Sequence, residues 1–133
     1  MTPPLSLTLF LPPREFGVCQ LPPADAIPPW ALTSSFYAIV RTPEELSIVC
    51  PAEDIPPQVR AQKGWRALKV QGPLDFSLTG VLNALAHPLA QAEISIFALS
   101  TYDTDYLLIP QQAWEDALQV LQKAGHRLKT TGE

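Results

Sequence analysis

The chain has 133 residues, 47% of them hydrophobic, with 9 basic and 13 acidic side chains for a net charge of −4. That length allows one domain or two very small ones, and the apolar content is enough to bury a core. The acidic balance argues against a broad nucleic-acid or anionic-membrane surface, and no apolar run is long enough to span a bilayer. Proline is the outlier at 15 residues, about twice the usual frequency of about 5%. Disorder would give such a figure, but a disordered chain lacks this much aliphatic and aromatic content.

In chain order, Leu5–Leu11 reads as a strand that ends at Pro12-Pro13. No basic stretch precedes it and no small-residue cleavage site follows, so a signal peptide is not expected. A cytoplasmic, reducing location is expected in turn, with Cys19 and Cys50 as buried thiols rather than a disulfide. Twelve of the 15 prolines lie at or before Pro57, in part as five Pro-Pro pairs. The segment up to Pro57 carries the whole net charge of −4, and the remainder is neutral. Proline stops helices, so the first part reads as strands and loops.

The second part has a regular pattern. Trp65–Gln71 is strand-like, with Leu68 and Val70 on one face. Gly72-Pro73 ends it. Ser77 can cap a helix, with Leu78, Leu82, Leu85, Leu89 and Ala92 on one helical face and Pro88 as an interruption. Ile94–Ser100 is a nearly continuous apolar run, expected as a strand buried on both sides. Thr101–Asp105 is a turn and Tyr106–Ile109 the returning strand. A second helix follows Pro110, with Trp114, Leu118, Leu121 and Ala124 inward and Gly125 as its stop. His126–Lys129 can form a last strand. The order is β-α-β-β-α-β, the ferredoxin-like arrangement.

The first part reads as a reduced copy of this plan. Ser35-Phe36-Tyr37-Ala38-Ile39-Val40 resembles Ser95-Ile96-Phe97-Ala98-Leu99-Ser100 at an offset of 60 residues. At that offset Arg41 and Glu45 stand where the second part has Thr101 and Asp105. Each string leads into a turn and a second strand, Leu46–Val49 in the first case. Pro22, Pro23, Pro28 and Pro29 occupy the place of the crossover helix, which leaves a short turn near Trp30. The expected fold is α+β: a reduced unit over residues 1–63 and a complete one over 64–133, each an antiparallel sheet with any helices on one face. Leu5–Leu11 is a spare strand that could complete either sheet edge.

Motifs for nucleotide binding, zinc hydrolysis and nucleophilic catalysis are missing, and His87 and His126 have no ligand partner at useful spacing. No enzyme activity, cofactor or metal is therefore expected. One constellation does suggest chemistry. Gly72, Pro73, Leu74, Asp75, Phe76 and Ser77 join a strand to a helix start, where free N–H groups favour an anion such as a carboxylate. Ser100, Thr101, Tyr102, Asp103, Thr104 and Asp105 form a turn at the same end of the sheet, with two carboxylates. Together they suit the head group of a free α-amino acid. The plain structural alternative is that Asp75 and Ser77 cap a helix while Asp103 and Asp105 shape a tight turn.

The string Phe76-Ser77-Leu78-Thr79-Gly80, with Ser100-Thr101-Tyr102 and Thr104-Asp105-Tyr106, resembles the ACT domain. More narrowly, the whole chain is similar to small paired-ACT proteins of bacteria, to aspartokinase regulatory regions and to the CASTOR arginine sensors. The resemblance implies two ferredoxin-like ACT units, a regulatory ligand sensor without catalysis, a homodimer formed through sheet edges or helices, and a regulated protein partner. It also implies an amino-acid ligand held by the loop Gly72–Ser77 and by Thr101 and Asp105. A basic amino acid would fit the arginine-sensor likeness, but the acid that reads a basic side chain has the same chemistry as one that reads an α-ammonium. The ligand's identity thus stays open. Glu93 departs from the pattern, since many ACT domains have glycine there. A rival reading is an interaction or dimerisation module whose pocket no longer binds.

Overall fold

The computed structural model describes residues 5–72 and 80–130. In chain order the strands are β1 Thr8–Leu11, β2 Glu15–Leu21, β3 Ala38–Arg41, β4 Leu46–Pro51, β5 Ala61–Val70, β6 Phe97–Ser100, β7 Asp105–Pro110 and β8 Arg127–Thr130; the helices are α1 Val81–Gln91 and α2 Trp114–Lys123. The fold is α+β and ferredoxin-like. Two compact units divide the chain: Arg14–Trp65 is one, and Met1–Pro13 with Arg66–Glu133 is the other.

In Arg14–Trp65 the strand order is β3, β4, β2, followed by the first residues of β5. β2 and β4 run antiparallel with Val18 opposite Val49, and β3 pairs β4 with Ile39 opposite Ile48. The described residues of this unit hold no α-helix. Single 3-10 turns at Pro29–Leu32 and Ala52–Asp54 stand in the helix positions. Their flanking prolines remove backbone donors that a longer helix would need. The core comprises Cys19, Ala31, Leu46, Ile48, Cys50 and Ile55. Gly17 has no side chain for a packing reason: a Cβ there would lie 2.4 Å from Ile55 Cδ1.

The other unit has the strand order β6, β7, β5, β1, β8, using Arg66–Val70 of β5. β1 is antiparallel to β5, with Leu9 opposite Val70, and parallel to β8, with Leu9 opposite Leu128. The spare strand is thus an interior strand, not an edge, and Leu9 is fully buried. β6 is the edge, pairing only β7 among the described residues. Its residues alternate between half-buried and exposed, so the expectation of a strand buried on both sides is corrected. The apolar run is explained instead by Ile94 and Ile96, which pack on the core just before the strand begins.

Both helices lie on the core through short steps of three and four. α1 buries Val81, Leu85 and Leu89, and α2 buries Trp114, Ala117 and Leu121. Leu82, expected to face inward, is 43% exposed, because it sits one residue, about 100°, around from the Val81 stripe. Each helix ends in a Schellman motif. In α2, Gly125 takes φ +98°, with His126 N–H on Leu121 C=O (3.1 Å) and Gly125 N–H on Gln122 C=O (3.0 Å). In α1, Glu93 does the same at φ +61°, with Ile94 N–H on Leu89 C=O and Glu93 N–H on Ala90 C=O, both 2.9 Å. Glu93 therefore holds a left-handed position that favours glycine.

Pro88 lies inside α1 and has no N–H for Ala84 C=O, its partner one turn back. The imidazole of His126 supplies a substitute. Its Nε2–H donates to Ala84 C=O at 3.0 Å, while its Nδ1 accepts the Leu7 N–H at 3.1 Å. Accepting at Nδ1 places the ring proton on Nε2. His126 is 5% exposed, so this buried side chain joins α1 to the segment entering β1 and repairs the gap left by Pro88.

Candidate functional site

The hairpin turn between β6 and β7 is built by its own hydroxyls. Thr101 N–H and Oγ1–H both donate to Thr104 C=O, at 2.8 and 3.1 Å, and Thr104 N–H returns to Thr101 Oγ1 at 3.1 Å. This is a side-chain-supported turn of the kind serine and threonine make. Thr104 is buried, and its Oγ1–H donates to Val70 C=O at 2.6 Å, so the turn is fastened to the end of β5. Ser100 Oγ–H donates to Asp105 Oδ1 at 2.6 Å across the last strand pair. Tyr102 is 80% exposed, and Asp103 beside it is exposed.

Gly72 is exposed two residues beyond Val70. Pro73, Leu74, Asp75, Phe76 and Ser77 lie outside the described residues, as does the expected cap at Ser77. The described start of α1 is Val81, with Gly80 before it at φ +80° and no acidic residue in the first turn. The structure thus brings Ser100, Thr101, Thr104 and Asp105 together and ties them to the strand that leads into Gly72.

The same turn recurs in the other unit. Thr42 N–H and Oγ1–H reach Glu45 C=O at 2.9 and 3.4 Å, and Glu45 N–H donates to Thr42 Oγ1 at 3.2 Å. Arg41 pairs with Leu46 as Ser100 pairs with Asp105, and Pro51 and Pro110 each close a strand and open a 3-10 turn. The repeat therefore has an offset of 59 at the hairpin, not 60. The equivalent of Thr101 is Thr42, Ser100 corresponds to Arg41, and Asp105 to Leu46. Matching apolar letters shifted the comparison by one residue, whereas pairing register is set by the turn. Arg41 acts within its own unit. Its Nη1 donates to Pro23 C=O and its Nη2 to Asp25 C=O (2.8 Å), clamping the loop that replaces the crossover helix.

A second feature has no local signature in the sequence. A cleft of about 460 Å³ runs beside α1, lined by Leu5, Asn83, Ala84, His87, Gln91 and His126 among others. Among the described residues no lysine, arginine or carboxylate lines it. Elsewhere in this unit the guanidinium of Arg66 stacks over the Trp114 ring, 4.5 Å from its centroid. Among the described residues no cluster of three or more His, Cys, Asp or Glu is placed to hold a metal ion. Nor is any described helix long and apolar enough to cross a membrane.

Comparison with known proteins agrees with this architecture. An ACT-domain model matches residues 60–123, and a model of an N-terminal domain matches 14–58. The cytosolic arginine sensor for mTORC1, subunit 1, of Bos taurus is 30% identical over 112 residues, 77% of this chain and 34% of that protein. The chain thus spans about a third of the length of that relative. A crystal structure of a protein from Agobacterium tumefaciens superimposes with a TM-score of 0.91 at 37% identity, covering 97% of this chain and 96% of that one. The ligand-free regulatory subunit of aspartate kinase from Thermus thermophilus shares the fold, with a TM-score of 0.58 at 14% identity over 92% of this chain and 99% of that one. Through the segment 60–123 that the ACT-domain model matches, the chain belongs to the ACT-domain family.

Proposed function

We propose that this protein is a regulatory sensor that binds a free amino acid and catalyses no reaction. The observation that carries the reading is the similarity to a cytosolic arginine sensor over 77% of the chain. The ligand end would be built from the loop Gly72–Ser77 and the turn Ser100–Asp105. Thr104 supports this by fastening that turn to the strand end that precedes Gly72. Asp105 would read an ammonium or a basic side chain, and the loop before α1 would take the carboxylate. A homodimer would supply a second wall to the pocket, and a regulated protein would receive the signal through oligomer state or direct contact. The setting would be the cytoplasm.

A second reading is a docking or dimerisation module without a working pocket. One observation favours it: the hydroxyls of Ser100, Thr101 and Thr104 already have partners within the turn or on β5, and Asp105 accepts from Ser100. A ligand would have to displace the Ser100 bond or bind Asp105 through its other oxygen. Titration of the full chain with each proteinogenic amino acid, read by calorimetry and by melting temperature, separates the two. Heat and a melting shift for one amino acid, both lost in Asp105→Ala, support the sensor. Silence across the set supports the module.

A further inference from the structure

The core of Arg14–Trp65 holds two thiols that the amino-acid reading does not use. Cys19 on β2 and Cys50 on β4 are free and each 1% exposed. Cys19 stands opposite Ile48 and Cys50 opposite Gly17, so the two are diagonal neighbours on one face of adjacent antiparallel strands. Both lie in one core cluster. Hydrogen bonding with Cys50 lowers the Cys19 thiol from its ordinary range against the opposing effect of burial, and Lys63 acts in the same sense. The same pairing, burial, and the charges of Cys19 and Asp54 push Cys50 up. Proton loss is therefore easier at one sulfur of the pair than at the other.

Ala31 and Trp30 of the turn Pro29–Leu32 pack in the same cluster, with Ile55, Val59 and Ala61. That turn stands where a crossover helix would lie, and a single 3-10 turn buries less surface than a packed helix, so it opens locally at smaller cost. The loss of the crossover helix thus leaves the dithiol beside a short lid.

We infer that Cys19 and Cys50 are a peroxide-reactive modification site that closes reversibly to a disulfide. The Cys19 thiolate attacks a peroxide oxygen, breaking the O–O bond to give a sulfenic acid and hydroxide. The Cys50 sulfur then displaces hydroxide from that sulfenic sulfur, and its proton leaves with the hydroxide as water. With hydrogen peroxide the sum is two thiols and one peroxide to one disulfide and two waters. Diagonal strand neighbours have Cα atoms about 7–8 Å apart, at or beyond the usual limit of about 6.8 Å for a disulfide. Closure must draw β2 and β4 together, and strained disulfides are the readily reduced ones.

The test treats the folded full chain with hydrogen peroxide, then unfolds it in an alkylating reagent and measures intact mass and linked peptides. The expected result is a loss of about 2 Da with no alkylation, a peptide linking Cys19 to Cys50 within one chain, and full reversal by dithiothreitol. Cys50→Ser should stop at a sulfenic acid on Cys19 that a cyclic 1,3-dione traps. Two alkylated thiols after exposure that oxidises a free surface thiol completely would overturn the inference. So would over-oxidation of Cys19 in the natural chain without a linked peptide, or a link formed only between chains. None of these readouts depends on amino-acid binding.

Discussion

The bond between His126 and Ala84 makes a quantitative prediction about the proline inside α1. Replacing His126 by Ala leaves the Leu7 N–H and the Ala84 C=O without their partners. An orphaned buried backbone group costs about 1–3 kcal/mol. The cleft beside α1 reaches both Ala84 and His126, so water can solvate the freed carbonyl and the total falls toward the low side, about 2–4 kcal/mol. At about 3–5 °C per kcal/mol for a chain of this size, the melting temperature should fall by about 6–20 °C. Pro88→Ala supplies the missing N–H to Ala84 C=O from within the helix. In that background, removing His126 should cost about 1 kcal/mol less. Urea melts of the natural chain, both single variants and the double variant close the cycle, and amide exchange at Leu7 reports the other half of the contact. Equal costs for His126→Ala in both backgrounds would refute the claim that the imidazole substitutes for the donor Pro88 lacks.

Further outcomes follow from single contacts. Glu93→Gly should raise stability by about 0.5–1 kcal/mol, because the left-handed position after α1 strains any residue with a Cβ; chemical denaturation at unchanged m-value reads it. Thr104→Val keeps the side-chain shape but removes the buried bond to Val70 C=O. It should cost about 1–3 kcal/mol and speed amide exchange in the β6–β7 turn, and an unchanged turn would show that the Thr101 bonds alone hold it.

Much of the second half was legible because its periodicities are local. Leu68 and Val70 share the buried face of β5 as alternation demands, and Leu85 and Leu89 lie on the core as a step of four demands. The turn residues Ser100 to Asp105 are contiguous, so their clustering needed no tertiary knowledge. What was missed depends on partners distant in sequence. Alternation in Leu5–Leu11 reads the same for an edge strand as for one inserted between β5 and β8. Thr104 finds Val70 34 residues away, and His126 finds Ala84 42 residues away. No spacing rule carries those contacts. The proline-rich half announced the loss of its helices, but the bonds of Thr42 were needed to place its hairpin against that of Thr101. Those matching bonds also bear on function, since a threonine that organises the same turn in both units has a structural role apart from any ligand.

The central claim is that a free amino acid binds at the turn Ser100–Asp105. Calorimetric titration of the natural chain and of Asp105→Ala, with each amino acid at millimolar concentration, addresses it most directly. Saturable heat is predicted for one amino acid, with any basic one giving the first comparison, and its loss in the variant at unchanged melting temperature. No heat from any amino acid, or heat that Asp105→Ala leaves intact, would contradict it.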